Sequence, residues 1–154
     1  MCQLIFTFVL MNTISDSFFF QVMRMRKAIF RRTTMLMTEA GIELPMEQLP
    51  ILVILQNKGT LSQRELSDIT LRDKSSILRS ISALQKKGLL LVEQDSSDKR
   101  KNNIDLSDEG KKLATHIKQL MRKAEDDALS VFPEEERAIA FQTVKSYADK
   151  LEGI

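Results

Sequence analysis

Apolar residues along this chain recur first at helical spacing, then briefly at strand spacing, then at helical spacing again. Over residues 15–38, Phe18, Val22, Met25, Ile29 and Leu36 follow one another by steps of three, four or seven, and Phe19, Met23, Phe30 and Met37 widen the stripe. That pattern predicts a long amphipathic helix, with Gly41 as its stop. Its apolar face is wider than a small domain needs, which suggests packing on another subunit, although the periodicity alone fits an ordinary core helix as well. A second helix is expected over residues 44–56, with Leu49, Leu52, Val53 and Leu55 apolar. Pro50 lacks a backbone donor, so that helix must start late or bend there.

Asn57, Lys58 and Gly59 end the second helix, and Thr60 and Leu61 make a short extended link. Ser62 with Glu65 three positions on is a reciprocal capping pair that opens a helix over residues 62–69. Thr70, Leu71 and Arg72 form a turn. Asp73 then caps a fourth helix, with Ile77, Ile81 and Leu84 facing inward and Lys74, Ser76, Arg79 and Ser80 facing outward. Lys86 and Lys87 suit a helix C-terminus and Gly88 suits the left-handed turn after it. A strand at 89–93, a turn at 95–101 and a return strand at 103–106 make a two-stranded hairpin, which must lean on the helices to be stable.

Ser107, Asp108 and Glu109 start a fifth helix carrying Leu113, Ile117, Leu120, Ala124, Ala128 and Val131 at spacings of three and four. Pro133 opens a sixth, with Glu134, Glu135 and Glu136 favourable to its dipole and Ala138, Phe141, Val144, Ala148 and Leu151 as the expected buried stripe. Two short helices, a glycine stop and a charged hairpin outline a winged helix-turn-helix, whose second helix fits a DNA major groove.

With 154 residues, one domain with an oligomeric interface is the expectation. The 23 basic against 21 acidic residues leave +2, too near neutral to argue for nucleic acid. Distribution says more than the total. Arg24, Arg26, Lys27, Arg31 and Arg32 make the first helix basic, Lys99, Arg100 and Lys101 make the hairpin turn basic, and Glu125, Asp126, Asp127 and Glu134 to Glu136 make the last third acidic. Cys2 is the single cysteine and His116 the single histidine, so neither a disulfide nor a metal cluster can form within the chain, which suits a reducing cytoplasm. A redox role for Cys2 lacks the positive neighbours that would lower a thiol pKa. The apolar stretch 1–11 breaks at Asn12, short of the ~20 residues of a membrane span, and has no preceding positive charge. Translation from Met11 is the simpler expectation.

Three stretches together resemble the MarR family of bacterial regulators, named for multiple antibiotic resistance. They are LSQRELSDI before the turn, DKSSILRSISALQKKGLL for the recognition helix, and DSSDKRKNNIDLSDEG for the wing and the start of the fifth helix. The resemblance covers roughly residues 44–116. It implies a mainly α fold with a small β-hairpin wing, in which 12–154 form one domain: a winged helix-turn-helix at 44–106, and dimerisation helices at 15–40 and 107–153. It also implies homodimers whose terminal helices interdigitate, and two recognition helices addressing a pseudo-palindrome with half-sites ~34–36 Å apart.

Carried onto this sequence, the family pattern places Lys74, Ser75, Ser76 and Arg79 in the major groove, with Arg79 the best reader of a guanine edge. Ser62 and Gln63 would meet phosphate. Arg100, braced by Asp98 and flanked by Lys99 and Lys101, would enter the minor groove. Many relatives bind small anionic aromatic molecules between the helical assembly and the winged motif, where His116 and Tyr147 are candidate lining residues. The resulting expectation is a cytoplasmic, homodimeric transcriptional repressor of double-stranded DNA that answers to a small-molecule effector. It needs no cofactor, metal, membrane or catalytic constellation. The alternative is a winged-helix protein-interaction module without specific DNA binding.

Overall fold

The computed structural model describes residues 17–94 and 102–153. In chain order the elements are α1 (Phe18–Glu39), α2 (Leu49–Lys58), β1 (Leu61–Ser62), α3 (Gln63–Thr70), α4 (Lys74–Lys86), β2 (Leu90–Gln94), β3 (Asn102–Leu106), α5 (Asp108–Leu129) and α6 (Glu134–Glu152). The chain is thus mostly helical with a small antiparallel sheet. No described helix is long and apolar enough to cross a membrane.

Local chemistry explains most of the boundaries. Ser17 caps α1 by accepting the Phe20 N–H at 3.1 Å, and Gly41, at φ 67°, carries the chain away after it. Pro50 stands in the first turn of α2, where its missing donor has no partner to lose. The second helix therefore starts late, at Leu49, one of the two outcomes expected from Pro50. Ser62 and Glu65 form the reciprocal cap of α3. Leu71 ends α3 in the left-handed region at φ 52°, turning the chain toward Asp73, the cap of α4.

The sheet has three strands in the order β1-β3-β2, where the sequence pattern suggested a two-stranded hairpin. The link before α3 is itself a strand, with Leu61 opposite Ile104 and Ser62 opposite Asn103. The Thr60 hydroxyl donates to Asp105 Oδ2 at 2.8 Å beside that pairing. The base of the hairpin is therefore joined by hydrogen bonds to the segment that opens the helix-turn-helix.

One apolar cluster holds these elements: Leu52 and Leu55 of α2, Leu66 of α3, Ile77, Ile81 and Leu84 of α4, Leu90, Ile104 and Leu106 of the sheet, and Ala114 and Ile117 of α5. Two expectations about facing are corrected. Ser80, read as outward, is buried, because it shares the inward stripe of Ile77, Ile81 and Leu84, and its hydroxyl lies 3.5 Å from an Arg72 guanidinium nitrogen. The expected buried stripe of α6 is not covered within the single chain: no residue of α6 is buried there, and Phe141 and Leu151 are 66% and 68% exposed. Within one chain α6 meets α1 through Phe18 and Tyr147, whose rings pack edge-on at 4.7 Å. Along α1 only Thr33 and Met37 are buried.

α4, β2 and α5 converge on one joint. The Leu89 carbonyl accepts the Ser107 N–H at 3.1 Å. The Ser107 hydroxyl donates to the Gly88 carbonyl at 2.6 Å and accepts the Gly110 N–H at 3.0 Å. A Cβ on Gly110 would overlap the Leu89 carbonyl oxygen. Helix propensity alone would make Gly110→Ala stabilising by roughly 1 kcal/mol. The overlap is with backbone and reverses the sign, so Gly110→Ala should destabilise the fold by about 1–3 kcal/mol. Urea denaturation checks this, and a raised midpoint would show that the helix does not approach the strand this closely.

Candidate nucleic-acid interface

The helix-turn-helix is formed by α3 and α4, and its turn is tied on several sides. Arg72 donates through its backbone N–H to the Ser67 carbonyl at 3.2 Å, and its own carbonyl accepts the Ser67 hydroxyl at 2.6 Å. The Arg72 guanidinium donates to the Glu47 carbonyl at 2.8 Å, in the segment leading into α2. Arg72 is therefore a positioning residue that the sequence reading placed only in a turn. Its signal was faint: an arginine beside a capping aspartate looks like any solvated turn residue.

At the start of α4 three side chains form a short relay. Asp73 accepts the Ser76 N–H at 2.8 Å and the Ser76 hydroxyl at 2.6 Å. The Ser76 oxygen in turn accepts a hydrogen bond from the Arg79 guanidinium at 3.0 Å. The Ser76 hydroxyl first, then its backbone N–H, with the Arg79 charge adding to them, hold the Asp73 carboxyl below its ordinary pKa. Lys74, Ser75 and Arg79 are exposed, while Ser76 is half-buried and already engaged.

The two residues expected to meet phosphate are engaged within the fold. The Ser62 hydroxyl donates to Glu65 Oε2 at 2.7 Å and accepts the Glu65 N–H at 3.2 Å. The Gln63 side-chain amide donates to the Lys74 carbonyl at 3.0 Å, which links the first turn of α3 to the first turn of α4. Both are half-buried. Asp98, Lys99, Arg100 and Lys101 lie outside the described residues, as do Cys2 and the apolar stretch 1–11. The strands on either side of the hairpin turn end in the pair Gln94 and Asn102.

The two residues suggested for a ligand pocket are on different helices. His116 is exposed on α5, and Tyr147 on α6 is half-buried against Phe18. An open groove runs along α1, lined by the exposed Phe20, Met23, Arg24, Arg26, Lys27 and Phe30. Among the described residues no group of His, Cys, Asp and Glu is placed to hold a metal ion.

The family model that matches the chain is that of the MarR family, over residues 44–101. Among solved structures, a MarR family protein from Bacillus stearothermophilus is 16% identical, with a TM-score of 0.76 over 86% of this chain and 91% of that one. BpsR of Bordetella bronchiseptica, whose DNA binding is regulated by 6-hydroxynicotinic acid, is 18% identical, with a TM-score of 0.75 over 88% and 95%. The transcriptional regulator PcaV of Streptomyces coelicolor, solved in complex with its natural ligand, is 23% identical, with a TM-score of 0.73 over 88% and 94%. No curated protein matches the chain in sequence.

A depressed carboxyl pKa makes the cap of α4 pH-dependent. The stability it contributes is fully present above the unfolded pKa of the aspartate and is lost as pH falls through the lower folded value. Carbon-detected NMR titration should therefore show Asp73 titrating below the ordinary aspartate range, and Ser76→Ala should move its midpoint upward. A midpoint indifferent to Ser76→Ala would remove the hydroxyl as the cause.

Proposed function

The chain carries the winged helix-turn-helix of the MarR family, and from that premise we propose that it is a DNA-binding transcriptional regulator acting as a homodimeric repressor. The observation that carries this reading is the division of α4 into two faces. Ile77, Ser80, Ile81 and Leu84 are locked into the core, so Lys74, Ser75 and Arg79 are held outward on a rigid helix whose first turn, capped by Asp73, carries exposed side chains. That is the arrangement by which a helix presents side chains to base edges. In this reading Arg79 reads a guanine, Lys74 and Ser75 bind beside it, and Ser76 positions Arg79. Ser62 and Gln63 offer the first turn of α3 to phosphate, and Arg100, braced by Asp98 and flanked by Lys99 and Lys101, reaches the minor groove.

Two apolar faces support the dimer. α1 exposes Phe19, Met23, Ile29, Phe30 and Met35, and α6 exposes Ile139, Phe141, Val144 and Leu151. Large apolar side chains exposed in this number mark an interaction site. Charge favours a second copy as the occupant, because α1 is basic where the start of α6 is acidic. A small aromatic acid is the effector class we assign, by analogy with BpsR and 6-hydroxynicotinic acid. The site of action is the cytoplasm, where the DNA is.

Binding is tested by fluorescence anisotropy on duplexes from the region upstream of the chain's own gene. Affinity should fall about a thousandfold or more between ~50 and ~200 mM salt if six or more phosphates are neutralised. Arg79→Ala should relax preference at one position per half-site by ~1–3 kcal/mol. Uniform weakening on every sequence would remove Arg79 from base readout, and absence of any specific duplex would favour a protein-interaction module. Sedimentation velocity should show a dimer that Phe30→Asp with Phe141→Asp converts to a folded monomer. A wild-type monomer would overturn the paired arrangement.

A further inference from the structure

Leu78 stands on the outward face of α4, half exposed at 50%, one residue before Arg79. It is absent from the buried cluster that anchors the helix and from the partly buried residues packed against it. Its neighbours on that face are polar: Lys74 and Ser75 one turn earlier and Arg79 beside it. A long helical side chain leans toward the N-terminus and covers the turn before its own Cα, so Leu78 overlies the region of Lys74 and Ser75. This is the end of α4 that would enter a major groove.

From this placement we propose that Leu78 is a specificity-determining residue that selects the C5-methyl group of a thymine, next to the base pair read by Arg79. The inference rests on the DNA-binding reading above and adds to it a residue and a base. Leucine has no hydrogen-bonding group, so it cannot read an acceptor or donor. Thymine presents the one apolar group on the major-groove edge of the four bases. Against any other base Leu78 would cover polar edge atoms without pairing them, which is unfavourable.

Replacing thymine by uracil deletes the methyl and nothing else on the base edge, which makes a clean double-mutant cycle. Operator duplexes selected with the full-length protein are rebuilt with uracil at one thymine at a time, and affinities are measured for the wild type and Leu78→Ala. One thymine per half-site should lose about fourfold on becoming uracil, the factor a single buried methylene is worth. Leu78→Ala should bind the thymine operator more weakly by a similar factor and should not distinguish thymine from uracil at that position. Thermal unfolding and affinity for random-sequence duplex serve as controls, and both should match the wild type. If operator binding is retained but no thymine methyl is coupled to Leu78, the proposal is overturned and the regulator reading stands. If no duplex is bound specifically, the regulator reading falls, and this proposal with it.

Discussion

The architecture depends on the closeness of one helix start to one strand start. Gly110 leaves no Cβ beside the Leu89 carbonyl, and Ser107 uses both its backbone and its hydroxyl to join residues 88, 89 and 110. Leu89 follows the recognition helix and leads into the wing strand, while Gly110 lies in the first turn of the long helix α5. Three elements with different tasks thus meet at one rigid point. Packing there is backbone against backbone, which has fewer ways to relax than a contact between flexible side-chain ends.

Around this joint the helix-turn-helix is held as a unit rather than as two helices. Gln63 reaches across to the Lys74 carbonyl, and Arg72 reaches back to Glu47 and toward Ser80. The strand β1 adds backbone pairing between the start of α3 and the wing strand β3. Each bond is modest, about 0.5–1.5 kcal/mol net for a typical hydrogen bond. Their value here is directional: they leave α4 little freedom to rotate about its axis, and rotation would exchange its buried stripe for its outward one. A helix that reads base edges needs that constraint, since discrimination depends on a side chain arriving at a fixed place.

Much of this was legible wherever the determinant is local. The Ser62 and Glu65 cap, the Asp73 cap, Gly88 and the helical periodicity each act within a few residues, and each boundary falls close to where those residues indicate. Determinants that act across the chain were not legible. β1 is two residues long, and only Ile104 and Asn103, about forty positions away, make it a strand. Ser80 is buried because the stripe of α4 extends to include it, and a serine gives no hydropathy signal of its own. For the candidate site, exposure of Lys74 and Arg79 followed from the helix pattern. The engagement of Ser62, Gln63 and Ser76 did not, because it requires knowing which neighbours their side chains find.

The helical arms pose a different question, because their apolar stripes were visible in the sequence but their partner was not. Periodicity says that one side of α6 is apolar; it cannot say whether the same chain or another covers it. In the structure that side is bare, and α1 buries only Thr33 and Met37 along its twenty-two residues. α1 touches α5 through Thr33, whose hydroxyl lies 3.5 Å from the Met121 sulfur, and α5 leads back to Gly110 and the joint with α4. In the proposed dimer, whatever changes the angle between paired arms acts on α5 as a lever whose short end is that joint. The backbone contact of Leu89 with Gly110 is close enough that such a motion would be passed on to α4. Half-sites ~34–36 Å apart tolerate little change in the spacing of two recognition helices. A stiff connection at Leu89 and Gly110 is thus what would let an event among the arms be felt at the DNA, and a looser one would keep the fold while losing the coupling.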